Sequence, residues 1–96
     1  MIYKIFILHI AKQELDEAVG FYESRRKGFG NEFLTEVKTL YNHLQKNPFL
    51  FRKNNLGYYE ASVSRFPFLI IYEVKENSIY IASSFHTSRN PKNKPK

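Results

Sequence analysis

The 96-residue chain has no cysteine. That excludes a disulfide framework and any thiolate metal site, and it suits a reducing compartment such as the cytoplasm. No apolar run approaches the roughly 18–20 residues that a membrane span needs. The N-terminus, Met1-Ile2-Tyr3-Lys4-Ile5, has no basic lead-in, long apolar stretch or small-residue cleavage site, so no secretory signal is expected. Histidine is scarce as well. His9, His43 and His86 are the only three, and none stands at a metal-ligand spacing from another or from a carboxylate pair, so neither a metal nor another cofactor is expected. Neither a GxGxxG nor a GxxxxGK[ST] string is present. Gly28-Phe29-Gly30 could hold an anion on backbone N–H groups at a helix start, but it reads first as a helix–helix turn.

What the chain does have is apolar and aromatic bulk. Apolar residues make up 43% and aromatics 17%, with seven Tyr and nine Phe, enough for one packed core in one domain. Fifteen Lys and Arg against nine Asp and Glu leave a net charge of +6, which favours an acidic partner, either nucleic acid or an acidic protein segment.

Residues 2–8 form an apolar run rich in β-branched and aromatic types and suited to a strand. Ala11, Leu15, Ala18, Val19 and Tyr22 then fall on one helical face, with Lys12, Asp16, Glu17, Glu23 and Arg26 on the other. A second stripe of Phe33, Val37, Leu40, Tyr41 and Leu44 predicts another helix, which Asn47-Pro48 stops. Joined by a short glycine turn, the two helices should form an antiparallel hairpin with its apolar faces on a sheet. His9 is placed to cap the first helix, and His43 lies on the polar side of the second. Residues 49–57 read as a loop or a frayed strand start. From Tyr58 to Arg65 the pattern alternates at period two, with Tyr59, Ala61 and Val63 on one face and Tyr58, Glu60 and Ser62 on the other. A strand from Pro67 to about Val74, a turn and a strand from Ser78 to His86 complete the order. The fold class is therefore α+β, with order β-α-α-β-β-β and a helical hairpin on one face of a small, mainly antiparallel sheet. A single domain should span residues 1–91, and residues 92–96 form a basic tail expected to be flexible.

The residues with chemistry gather near the end of this pattern. His86 closes the last strand and, on a strict period of two, shares a face with Tyr80, Ala82 and Ser84. Arg89 follows within one turn, and Arg65 enters the preceding hairpin. Glu60 is the one acidic residue placed to act as a general base near these cations. The alternative is structural, with an imidazole bonded to backbone and Arg89 paired to Glu60 or Glu73.

The string Ala11…Leu15…Ala18…Phe21-Tyr22-Glu23…Gly28-Phe29-Gly30-Asn31-Glu32-Phe33…Val37…Pro48…Arg65-Phe66-Pro67-Phe68…Ile71-Tyr72…His86…Arg89-Asn90-Pro91 resembles the RelE/ParE superfamily of toxins from type II toxin–antitoxin systems. The resemblance implies a bacterial cytoplasmic toxin, of the kind tied to plasmid stabilization, held inactive by a cognate antitoxin that wraps it. It also implies one of two targets. RelE-like members are endoribonucleases that cut mRNA on the ribosome, and ParE-like members trap DNA gyrase with no hydrolytic site. Carried over by position, the nuclease reading makes Arg65 the residue that stabilises the phosphate and His86 the general acid/base. Glu60, Tyr58 or Tyr59 would be the base, and Arg89 a second phosphate clamp. Many relatives place Arg or Lys in the strand before the Phe-Pro motif, whereas this chain has Tyr58-Tyr59-Glu60. Arg52 and Lys53 are the upstream cations left to bind substrate phosphate. The ribosome-directed nuclease stands first, the gyrase poison second, and a detoxified antitoxin-binding domain third.

Overall fold

The structure is a computed structural model that describes residues 2–87. The apolar run at the start forms β1 (Lys4–Ile7), and the two stripes form α1 (His9–Arg25) and α2 (Phe29–Lys46). Next come β2 (Arg52–Lys53), β3 (Tyr59–Ser62), β4 (Phe68–Lys75) and β5 (Ser78–His86). The five strands make one sheet in the order β1-β5-β4-β3-β2. β1 runs parallel to β5, and every other neighbouring pair is antiparallel. This is the expected α+β architecture with one added strand. β2 is the frayed segment, and it forms because Arg52 and Lys53 pair across Glu60 and Tyr59.

Both helices lie on one face of the sheet. Ala11, Leu15, Ala18 and Tyr22 from α1, with Phe33, Val37, Leu40 and Leu44 from α2, are buried against Ala61, Phe68, Ile70, Tyr72, Ile79 and Ile81. The hairpin between the helices is tight for a specific reason. Gly28 adopts φ 86°, a left-handed conformation that costs glycine least. At Gly30 a Cβ would lie 2.7 Å from the Val19 carbonyl oxygen, so only glycine lets the helices approach this closely. The Glu23 carboxylate accepts from the Gly28 and Gly30 N–H groups at 3.0–3.1 Å, satisfying donors that the helix start leaves open. The anion held by this glycine turn is thus the protein's own. At the start of α1 the capping position falls to Leu8, and His9 is the first helical residue.

One irregularity sets the site. In the β4–β5 ladder, Ile71 pairs with Ser83 but Tyr72 pairs with Ile81, so Ala82 is an extra residue on β5. An inserted residue reverses the in-and-out phase of everything after it. Ile79 and Ile81 point to the helices before the bulge, and Ser84 and His86 point there after it. The face expected from strict alternation is therefore corrected: His86 keeps Ser84 but is parted from Tyr80 and Ala82. The bulge is tied to α1. Glu14 accepts from the Ser84 N–H at 3.0 Å and the Ser83 hydroxyl at 3.2 Å, and the Ser84 hydroxyl donates to the Ala11 carbonyl.

Candidate functional site

The end of the sheet formed by the close of β5 and the β3–β4 turn carries a dense group of rings and cations. His86 sits opposite Phe68, and the Thr87 N–H donates to the Pro67 carbonyl, so the two segments are locked side by side. The imidazole lies under α1, where its Nδ1 and the Tyr22 hydroxyl share a hydrogen bond of 3.2 Å. The Phe21, Tyr22 and Phe68 rings surround it at centroid distances of 5.1–5.2 Å, two of them edge-on. Aromatic packing and the Tyr22 phenol thus help to hold the histidine.

Arg65 is built differently. It occupies the β3–β4 turn with φ 72°, a conformation that an L-residue other than glycine rarely adopts. Its guanidinium reaches α2, 3.3 Å from Glu32 and 3.3 Å from Glu36. Glu32 also meets Arg26, at the end of α1, at 3.4 Å. An alternating row of Arg26, Glu32, Arg65 and Glu36 results. The Arg26 guanidinium lies over the Phe29 ring at 4.5 Å, and that of Arg65 lies 5.8 Å from the Phe66 ring. Arg25 stacks over Phe21 at 4.6 Å.

The remaining candidates lie elsewhere. Glu60 alternates with the buried Ala61, so it faces away from the helices, on the other side of the sheet from His86. Glu60 stands opposite Ile71 and, one strand further, Ser83. By ladder spacings its backbone is about 14 Å from that of His86. Arg52 stands opposite Glu60 on that same face, and the Glu60 carboxylate accepts from Asn54 Nδ2 at 3.1 Å. Lys53 is on the helix side, its ammonium 5.5 Å from the Tyr59 ring. Tyr58 is half-buried, and Tyr59 stacks on Tyr72 at 5.3 Å. Arg89 lies outside the described residues. The structure therefore brings Arg65 and His86 to one end of the sheet but gives them separate surroundings, and it does not bring Glu60 to either. General acid–base chemistry needs the two groups within about 3 Å of the same reacting atoms, directly or through one water. Among the described residues, no group of three His, Cys, Asp or Glu could hold a metal ion.

The helix-free face of the sheet presents a second feature. Phe6 stacks on Tyr80 at 5.4 Å, and Leu69 stands opposite Phe85 with Ile71 beside them. Phe6 is 47% exposed and the others are half-buried. Lys4 and Arg52 flank this strip on the two edge strands. Sequence reasoning passed over it, although the alternation Leu69, Ile71 in β4 was a usable signal. It also passed over Tyr22 as the partner of His86, and over Glu32 and Glu36 as partners of Arg65, because neither pairing has a local signature. Among the described residues, no helix is long and apolar enough to cross a membrane.

Comparison with known proteins gives three results. A family model described as "ParE toxin of type II toxin-antitoxin system, parDE" matches residues 5–91. A solved structure titled "Chromosomal ParDE TA system from P. aeruginosa" shares the fold, with a TM-score of 0.74 at 19% identity over 88% of this chain and 96% of that one. No curated protein matches the chain.

Proposed function

The chain belongs to the ParE toxin family of type II toxin–antitoxin systems, and from that premise we propose that it arrests growth by binding DNA gyrase and that a cognate antitoxin silences it. The observation that carries the choice of target is the separation of Glu60 from His86, on opposite faces of the sheet. Two further facts support a binding role. The Arg65 guanidinium is paired to carboxylates of its own chain, and the imidazole of His86 is packed among rings. Neither is presented as a free phosphate clamp or proton shuttle. A poison that traps its target needs a complementary surface and no transition-state chemistry, and a sheet face with exposed aromatics and flanking cations supplies one kind of surface. The same surface chemistry suits an acidic, amphipathic antitoxin segment.

The test is induction of the chain in cells, with DNA breaks, replication and translation followed in parallel. Gyrase trapping predicts early DNA breaks and a halt in replication, with purified gyrase accumulating cleaved DNA when the toxin is added. Glu60→Gln and His86→Gln should change this potency by less than about threefold, whereas loss of a general acid or base costs about 100-fold or more. Early cleavage of mRNA at ribosomes, abolished by Glu60→Gln, would overturn the reading in favour of an endoribonuclease.

A further inference from the structure

The arginine end of the molecule combines features that usually favour nucleic acid. Arg25, Arg26 and Arg65 lie close to aromatic rings at one edge, and guanidinium groups there could meet phosphate while the rings stack on bases. Yet two of these three arginines are already spoken for. Glu32 bridges Arg26 and Arg65, and Glu36 takes the second guanidinium nitrogen of Arg65. Both carboxylates project from α2 and reach arginines 6 to 33 residues away in sequence. A carboxylate offers a guanidinium the same kind of acceptor oxygens as a phosphodiester. We infer that Glu32 and Glu36 act as built-in counter-ions that keep this edge off nucleic-acid phosphate, making them determinants of what the toxin does not bind.

Exposed ion pairs contribute little to stability, with a median of about 0–1 kcal/mol. The row is therefore poorly explained as a device for holding the fold. Its effect on recognition is larger in principle. Nucleic-acid affinity depends on the number of phosphates neutralised, each contributing to the salt dependence as counter-ions are released. An arginine that already has a carboxylate partner must break that pair before it can neutralise a phosphate. The discrimination works by occupying the attractive group rather than by adding a repulsive loop. This inference goes beyond gyrase binding and does not depend on it, because its test contains neither gyrase nor ribosomes.

The experiment measures fluorescence anisotropy of a labelled single-stranded RNA and a labelled duplex DNA against the purified full chain, from 50 to 200 mM salt. The unmodified toxin should bind both weakly. The Glu32→Gln/Glu36→Gln variant should bind at least one of them tenfold or more tightly. Its log–log salt slope should steepen by about 1.8 on duplex DNA, or about 1.4 on the single strand, as two arginines become available. Glu32→Gln alone, which frees Arg26 while Arg65 keeps Glu36, should give about half of that change and covers the case in which the double variant folds poorly. Adding Arg26→Gln and Arg65→Gln to the double variant should return binding to the original level. A matched neutralisation elsewhere, Glu17→Gln/Glu76→Gln on exposed positions, should give less than a threefold gain. Unchanged affinity and slope on both nucleic acids would overturn the inference, as would an equal gain from the remote pair.

Discussion

The two faces of the sheet are made from the same kinds of residue and meet different ends. On the covered side Phe68, Ile70, Tyr72, Ile79 and Ile81 are sealed beneath α1 and α2. On the bare side Phe6, Leu69, Ile71, Tyr80 and Phe85 stay partly open to solvent. Two helices of 17 and 18 residues can cover only one side of a five-stranded sheet. The covered side therefore holds the fold together, and the bare side leaves apolar surface uncovered, the face proposed above for a partner.

The strongest way to break that distinction is to truncate one residue on each side. Phe33→Ala removes a fully buried ring from the covered side and should cost about 3–5 kcal/mol in denaturant unfolding. Ile71→Ala on the bare side should cost less, about 1–2 kcal/mol, because its side chain is only partly buried and no helix covers it. Equal losses would mean that the bare face is part of the core. Tyr80→Ala is the next largest test. It should lower the melting temperature by less than Phe33→Ala does, since Tyr80 loses only its stacking on Phe6 and partial burial, while weakening antitoxin binding about 30-fold, the loss typical of an aromatic anchor; titration calorimetry would detect it, and unaltered binding would place the antitoxin on another surface.

Smaller changes probe polar groups at the edge of the core. The Tyr72 hydroxyl donates to the Pro48 carbonyl at 2.7 Å inside the protein, so Tyr72→Phe should cost about 1–2 kcal/mol. Burial pushes the Tyr72 phenol well up, with nearby Tyr59 adding to the rise, and burial pushes Tyr41 up to about 12. Both groups hold their protons more tightly when folded than when unfolded, where a tyrosine titrates near 10. Their contribution should be intact below about pH 10 and disappear as pH rises from about 10 towards 12 and beyond. Melting curves between pH 8 and 12 would check this, and Tyr72→Phe should lose less across that window than the parent chain. The smallest effect is expected at Arg65→Gly. Relief of the left-handed backbone gains about 1 kcal/mol. Loss of exposed ion pairs, whose arginine side chain is 58% exposed, removes about 0–1 kcal/mol, so the melting temperature should move by only a few degrees.

Much of the covered side was legible before any coordinates. Phe33, Val37, Leu40 and Leu44 repeat at helical spacing, and Ala61 in β3 alternates with Val63 just beyond it, because local backbone geometry dictates which side chains share a face. The candidate site was far less legible. Arg65, His86 and Glu60 were correctly placed in or beside strands, but the common site drawn from them assumed an uninterrupted alternation in β5. The extra residue at Ala82 cancels that assumption for His86. The strand in residues 52–53 was similarly hidden, since two polar residues have no periodicity to read.

Charge shows the same division. Four of the fifteen basic residues and none of the nine acidic ones fall after Thr87, so the described part of the chain is far closer to neutral than the net charge of +6 suggests. Among the acids, Glu32 and Glu36 are positioned by the fold beside Arg26 and Arg65.

The order of the longer elements, the glycine turn, the proline stop after α2 and the helical part of the core were settled by the sequence alone, because each depends on steric and hydrophobic preferences acting over a few residues. The direction His86 faces, the carboxylates that meet Arg65 and the distance from Glu60 to either were decided only by tertiary structure. Those outcomes depend on strand register and on contacts between segments up to 73 residues apart, and no local pattern encodes which distant partner arrives.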